Sequence, residues 1–300
     1  MPIKKIQKTV NMMKIDREFV SHLVAMQFPK WKDLPVWPVA KMGWDNKTFH
    51  LGEDMLVRLP SRAEYAVQVE KEHKWLGFLG PKLPFLIPEV IAMGEPSENY
   101  PWKWSIYRYI EGEPASTDLI TNLSYFAKDL AQFLITLQSI DVIGGPSSGE
   151  HSFHRGGSLS NYDADTRKAI GLLSNKIDTE RATKVWEKAL MSKWINPPVW
   201  VHGDINAGNL LVKDGNLCAV IDFGQLNIGD PACDLAIAWT FFKGKSREVF
   251  YDSLPLDRNT WNRARGWALW KALIIASGLS KTNVMEVKHS CSIIDEVLSK

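Results

Sequence analysis

Apolar residues recur along this chain with two different periods, and the switches between them mark its elements. After Asp16, a residue suited to cap a helix, Phe19, Leu23 and Met26 fall on one helical face that ends in the Pro29 region. From Val36 onward, short runs are broken by Gly43-Trp44-Asp45-Asn46 and by Gly52-Glu53-Asp54, which predicts three antiparallel strands. Residues 62–79 return to helical spacing at Tyr65, Val69, Leu76 and Leu79, and Gly80-Pro81 stops that helix. The aromatic, alternating stretch "WKWSIYRYIEGEP" predicts a further strand ending at Gly112. Strands, a helix, then strands describe a small α+β unit.

Beyond Asp118 the pattern is mostly helical. Phe126, Leu130, Phe133, Leu134 and Leu137 form one stripe, and further helices are predicted at 164–174, 179–194, 231–242, 257–277 and 284–298. Trp261, Trp267 and Trp270 lie at near-helical intervals and are expected in the core. Residues 144–163 form a long Gly/Ser-rich loop, a kind of segment that often carries function. The expected fold class is α+β: an N-terminal antiparallel sheet plus helix (1–111), followed by a mostly helical C-terminal part (112–300).

Composition narrows the partners. A length of 300 residues exceeds the usual single-domain size of about 100–150, so two lobes are expected, and 45% hydrophobic residues supply their cores. The net charge of +2 gives no reason to expect nucleic acid. Three widely spaced cysteines suggest reduced thiols. There is no signal-peptide core and no run near the ~20 apolar residues that cross a bilayer, so no membrane partner is expected and a cytoplasmic location is.

The chemistry concentrates in Trp200–Ala236, where five aspartates interrupt what otherwise reads as buried strand. "NLLVKDGNLCAVID" is two apolar runs around Asp214-Gly215, a hairpin signal because both turn positions favour positive φ. That hairpin brings Asn209, at its start, close to Asp222, at its end, and Asp204 enters the same corner through a short loop. Oxygen donors without histidine or cysteine suit Mg²⁺ rather than zinc. Phosphoryl transfer needs such a corner: a cation to offset phosphate charge, and a carboxylate to orient the attacking hydroxyl. The spacing Asp204-x4-Asn209, with Asp222-Phe223-Gly224 thirteen residues later, matches a kinase catalytic pattern.

"VHGDINAGNLLV" together with "AVIDFGQLNIGDPACDLA" resembles the aminoglycoside phosphotransferase family, whose fold is similar to that of protein kinases. The resemblance implies Asp204 as catalytic base, Asn209 and Asp222 as magnesium ligands, and ATP or GTP as donor. Upstream, it implies that Arg58 in "MLVRLP" holds phosphate and pairs with a helix glutamate, Glu70 or Glu72, with family spacing favouring Glu72. A turn from Gly43 through Asn46 takes the place of a glycine-rich loop, and backbone groups from Tyr107 through Tyr109 to Ile110 are expected to meet the nucleobase. Asp230 and Asp234 can cap the next helix or brace the catalytic loop.

Polycationic acceptors call for acids after this motif, yet the chain continues "AIAWTFFKGKSREVF", with no acid before Glu248. The expected activity is therefore transfer of the γ-phosphate to a hydroxyl of a small molecule: an aminoglycoside, another antibiotic, a sugar or an amino alcohol. A non-catalytic nucleotide-binding regulator of the same fold is the alternative. Glu150, Asp163 and Asp165, in or near the long loop, are acids left to face an acceptor.

Overall fold

In the computed structural model, residues 14–40, 43, 45–280 and 282–299 are described. They form two compact units: the chain up to Gly112 together with Ala219–Gly224, and Glu113–Cys218 together with Gln225 onward.

The first unit begins with helix α1 (Arg17–Gln27), capped by Asp16, whose carboxylate accepts from the Phe19 amide at 3.0 Å. A five-stranded antiparallel sheet follows: β1 (Val36–Pro38), β2 (Asn46–Leu51), β3 (Met55–Pro60), β4 (Val90–Gly94) and β5 (Trp104–Arg108), in the order β1-β2-β3-β5-β4. Strand alternation puts Phe49, Leu51, Val57, Leu59 and Ile106 into one core with Val20, Leu23 and Tyr100, leaving Arg58 between two buried neighbours with its side chain on the other face. Burying each large apolar side chain stabilises by about 1.5–3 kcal/mol, so this register is strongly held. Helix α2 (Ala63–Leu79) packs on β3 and β5 and buries Gln68, Lys71 and Glu72 besides its apolar residues. The segment after Cys218 joins this unit through the Val220 amide, which donates to Leu86 O at 2.9 Å.

In the second unit, helix α3 (Leu123–Ser139) buries the stripe of Phe126, Leu130, Phe133, Leu134 and Leu137, and Asn122 caps it. Helices α4 (Asp163–Leu172) and α5 (Thr179–Met191) lead to strand β7 (Val199–Val201), which pairs antiparallel with β10 (Asn227–Gly229). Strands β6 (Glu113–Pro114), β8 (Leu210–Lys213) and β9 (Asn216–Val220) make a small sheet in the order β6-β8-β9. The turn between β8 and β9 has Asp214 at φ 50° and Gly215 at φ 77°, the geometry expected of that hairpin. The chain ends in α6 (Ile237–Thr240), α7 (Gly244–Ser253), α8 (Arg258–Ala276) and α9 (Val284–Leu298).

Two helical expectations change. The predicted helix 231–242 is a 3-10 stretch, Pro231–Ala236, followed by the short α6, because Asp230 and Pro231 fix a tight first turn. Helix α7 carries no clear sequence signal, since Phe250 is the one large apolar residue it buries. The 144–163 loop contains two 3-10 turns, Glu150–Ser152 and Leu159–Tyr162. Trp261 and Trp267 are buried in α8, as their spacing predicts, while Trp270, expected with them, is only half-buried.

Candidate active site

The residues singled out by sequence fall into two groups, one in each unit. In the first unit Arg58 projects from β3, opposite Thr48 of β2 and Ser105 of β5. Its Nη2 donates to Asp222 Oδ1 at 3.1 Å, and its Nη1 lies 3.6 Å from Glu72 Oε1. Glu70, the other candidate, pairs instead with Lys103 on the exposed side of α2. The two glutamates are two residues apart, which places them on different faces of the helix, and only Glu72 points inward. Burial works against the Arg58 charge, but Asp222 and Glu72 outweigh it and hold the guanidinium more firmly protonated than usual. Burial raises the Glu72 carboxyl above its ordinary value despite Arg58. Asp222 has φ 66°, an uncommon left-handed backbone for a non-glycine residue that costs on the order of 1–3 kcal/mol.

Tyr107 has its backbone in β5, between β3 and β4. Its hydroxyl donates to Glu72 Oε2, which supports the Arg58 partner. The next two amides are also occupied: Arg108 N donates to Glu89 O and Tyr109 N to Asp54 O. Ile110 follows β5, past its last strand residue Arg108. The Tyr109 ring packs edge-on against His50 at 5.1 Å. Asn46 opens β2, opposite Pro60. Among the described residues nothing lies within 4 Å of where a Gly43 β-carbon would sit, and Trp44 of the same expected turn lies outside the described residues.

In the second unit β7 delivers His202, Gly203 and Asp204. Asp234 holds this loop: its two carboxylate oxygens accept from the amides of His202 and Gly203, each at 2.8 Å. Gly203 is required there, because its φ is 90° and a β-carbon would come within 2.7 Å of Gln225 O. His202 is fully buried, and its Nδ1 accepts from the Asp204 amide at 3.2 Å. Asp230 takes the other role left open by sequence. It caps the following turn through the Ala232 amide and pairs bidentately with Arg263 at 2.6 and 3.0 Å. Burial pushes the Asp234 carboxyl up to about 7, against the pull of the two amides.

Asn209 closes the loop. Its Nδ2 donates to Asp204 O at 2.9 Å and to Asp204 Oδ2 at 3.2 Å, so its amide oxygen is the atom left for a ligand. Asp204 Oδ1 accepts from Lys271 Nζ of α8 at 3.1 Å. Burial alone would raise the Asp204 carboxyl, but Lys271, Arg155 and His202 together hold it below its ordinary value. The sequence reading missed Lys271 and Arg155. Lys271 was visible as a lone charge in the apolar run "WALWKALIIA", and Arg155 as the cation in the long loop. Asp163, left as a possible acceptor contact, is occupied by Trp186 Nε1 and Arg167. The residues Trp239, Phe241 and Phe242 pack among aromatic rings, Phe242 against Phe126 and Phe250.

An antiparallel sheet unit holding a buried Arg–Glu pair, and a helical unit whose His-Gly-Asp loop is braced by a downstream aspartate, are the parts of a kinase-like α+β fold. The family model described as the phosphotransferase enzyme family (APH) matches residues 37–267, and the chain belongs to that family. Over 116 residues it is 33% identical to an aminoglycoside 3'-phosphotransferase of Salmonella typhimurium, an alignment covering 37% of this chain and 41% of the relative. The chain thus spans about two fifths of the length of that curated relative. In solved structures, the GDP complex of wild-type aminoglycoside 2'-phosphotransferase-IIIa is similar with a TM-score of 0.70 at 17% identity, covering 94% of this chain and 98% of the other. Macrolide 2'-phosphotransferase type I follows the same fold with a TM-score of 0.60 at 18% identity, covering 93% and 97%.

Proposed function

We propose that this protein transfers the γ-phosphate of ATP or GTP to a hydroxyl group of a small molecule. The observation that carries the reading is Asp204: an ionised carboxylate on a loop pinned by Asp234, with Asn209 bonded to it and a family match around it. In this reading Asp204 orients the acceptor hydroxyl and takes its proton as the oxygen–phosphorus bond forms and the bond to the nucleoside diphosphate breaks. Arg58, kept in place by Glu72 and Tyr107, binds phosphate oxygens as a fork.

Asn209 and Asp222 each offer the kind of hard oxygen donor that magnesium takes. Asn209 has its Nδ2 turned to Asp204, which frees a hard amide oxygen, and Asp222 adds a carboxylate with one oxygen not engaged by Arg58. Bound there, the ion would offset phosphate charge. Gly43, Asn46 and the Ile110 amide are proposed nucleotide contacts.

Relatives named for aminoglycosides and for a macrolide favour an antibiotic-sized acceptor. A metabolite acceptor is the second reading, favoured by the aromatic packing of Trp239, Phe241 and Phe242 where acids would serve a polycation. The test is a mass-shift screen with Mg²⁺, ATP and GTP against aminoglycosides, macrolides, sugars and amino alcohols. A phosphorylated product that disappears in Asp204→Asn supports the reading; equal product from Asp204→Asn and the parent overturns it.

A further inference from the structure

Arg155 is a buried cation that no carboxylate pairs with among the described residues. It is 8% exposed, and its side chain's one hydrogen bond there is from Nε to Gln225 Oε1 at 3.2 Å. Three other arginines of the same unit have carboxylate partners, Arg263 with Asp230, Arg167 with Asp163 and Glu187, and Arg247 with Glu296, while Arg265 is satisfied by the Val297 and Ser299 carbonyls. Asp204 feels the Arg155 charge but makes no direct bond to it, and a buried guanidinium without a carboxylate in contact retains donors for an anion.

The surroundings hold the guanidinium in a fixed plane. It lies over the rings of Trp267 and Trp270, 5.0 and 4.5 Å from their centroids, and the Tyr162 ring packs on Trp270 at 4.1 Å. Stacking fixes the direction of the donor fork without using its N–H groups. The loop leading to Arg155 is strained: Phe153 and His154 have φ 47° and 52°, two consecutive non-glycine residues in the left-handed region. That strain is held by the His154 amide donating to Gly149 O, the Arg155 amide to Ser152 O, and the Tyr162 hydroxyl to Phe153 O. Lys271 follows Trp270 on α8 and brings a second cation, 45% exposed, to Asp204. The Asp204 carboxylate bonds Lys271 directly and feels the Arg155 charge without a direct bond.

We propose that Arg155 and Lys271 form an anion-binding subsite beside Asp204, so that the acceptor carries a carboxylate or phosphate close to the hydroxyl that is phosphorylated. This rests on the phosphotransferase reading for the word acceptor, but not for the anion site itself. A cationic acceptor meets a lysine already seated on the base, whereas an anionic one can draw Lys271 away from Asp204 and use the open arginine fork.

Inorganic sulfate is the probe, titrated with Mg-ADP saturating so that nucleotide phosphate sites are occupied, and followed by the fluorescence of the tryptophans beneath Arg155. Saturable binding is expected in the parent, weakened about tenfold in Lys271→Met and abolished in Arg155→Met, since each charge-assisted contact contributes on that scale. Arg167→Met, whose arginine is already paired with Asp163 and Glu187, should bind sulfate as the parent does. Lys271 is partly exposed, so its variant keeps the test valid if Arg155→Met fails to fold. Sulfate binding unchanged by Lys271→Met overturns the subsite. Transfer to galactose and galacturonate then separates two sources of the anion: because Lys271 also touches Asp204, both fall in Lys271→Met, and a loss about tenfold larger for the acid supports the proposal, while equal loss for both assigns the cation to the base or the transferring phosphoryl group and overturns it. Sulfate binding without any phosphoryl transfer leaves the subsite standing and sinks the transferase reading instead.

Discussion

Arg58 Nη2 donates to Asp222 Oδ1 across 3.1 Å, while Nη1 stays 3.6 Å from Glu72 Oε1, too far for a hydrogen bond. One guanidinium therefore serves two carboxylates, and its tighter contact is to the residue proposed to hold magnesium. A lysine has the charge but not the fork. Replacement of Arg58 by lysine is expected to weaken Mg-nucleotide binding about tenfold, and by methionine further, as read by calorimetry. Affinity in Arg58→Lys equal to the parent would remove the fork from the nucleotide site.

Asp204→Asn should leave nucleotide affinity within about twofold of the parent and lower transfer at least about a hundredfold, the usual range for removing a general base. Calorimetry and a product assay on the same preparation separate the two effects. A matched fall in both would mean that Asp204 organises the site rather than receiving the proton.

Asp234 holds two successive loop amides, so Asp234→Ala leaves both buried donors without partners. Each orphaned donor costs about 1–3 kcal/mol, and the urea midpoint should fall accordingly. Hydrogen exchange at His202 and Gly203 should rise in this variant more than exchange at core strands of β2 and β3. Uniform change across the chain would contradict a local brace.

The Arg263–Asp230 pair is buried on both sides, at 6% and 10% side-chain exposure. Arg263→Met leaves a buried aspartate uncompensated and is expected to destabilise by about 3–5 kcal/mol. Restoring neutrality with Asp230→Asn in the double variant should recover part of that loss, which a double-mutant cycle measures.

Burial and, after it, the Lys103 charge hold the His73 imidazole below its ordinary 6.5. The unfolded chain then takes up the proton first, so this contribution to stability is present above about pH 6.5 and is lost as pH falls toward the folded value. Asp234, raised to about 7, acts with the opposite sign over an overlapping range: its contribution is largest at low pH and fades as pH rises toward 7. The comparison of His73→Gln with the parent isolates the histidine. Between pH 5 and 7 the parent's stability should gain on the variant's as pH rises, by up to the slope of about one titrating group. Identical slopes would show that His73 titrates alike in both states.

Much of the site was legible because its signals are local. The alternation along β2 and β3, the stripe on α3, the Asp214-Gly215 turn and the short loop from Asp204 to Asn209 each depend on residues a few positions apart. Periodicity and turn chemistry act over that range, and the chain alone determined them. Pairing of distant charges was decided only by the tertiary structure. Glu72 rather than Glu70 meets Arg58, because packing of α2 on the sheet turns one face inward. Asp234 rather than Asp230 braces the loop, because a buried Arg263 claims the latter. Lys271 reaches Asp204 across 67 positions, and Arg58 reaches Asp222 across 164. Side-chain spacing within one element cannot specify such contacts; they follow from which faces the buried apolar residues bring together.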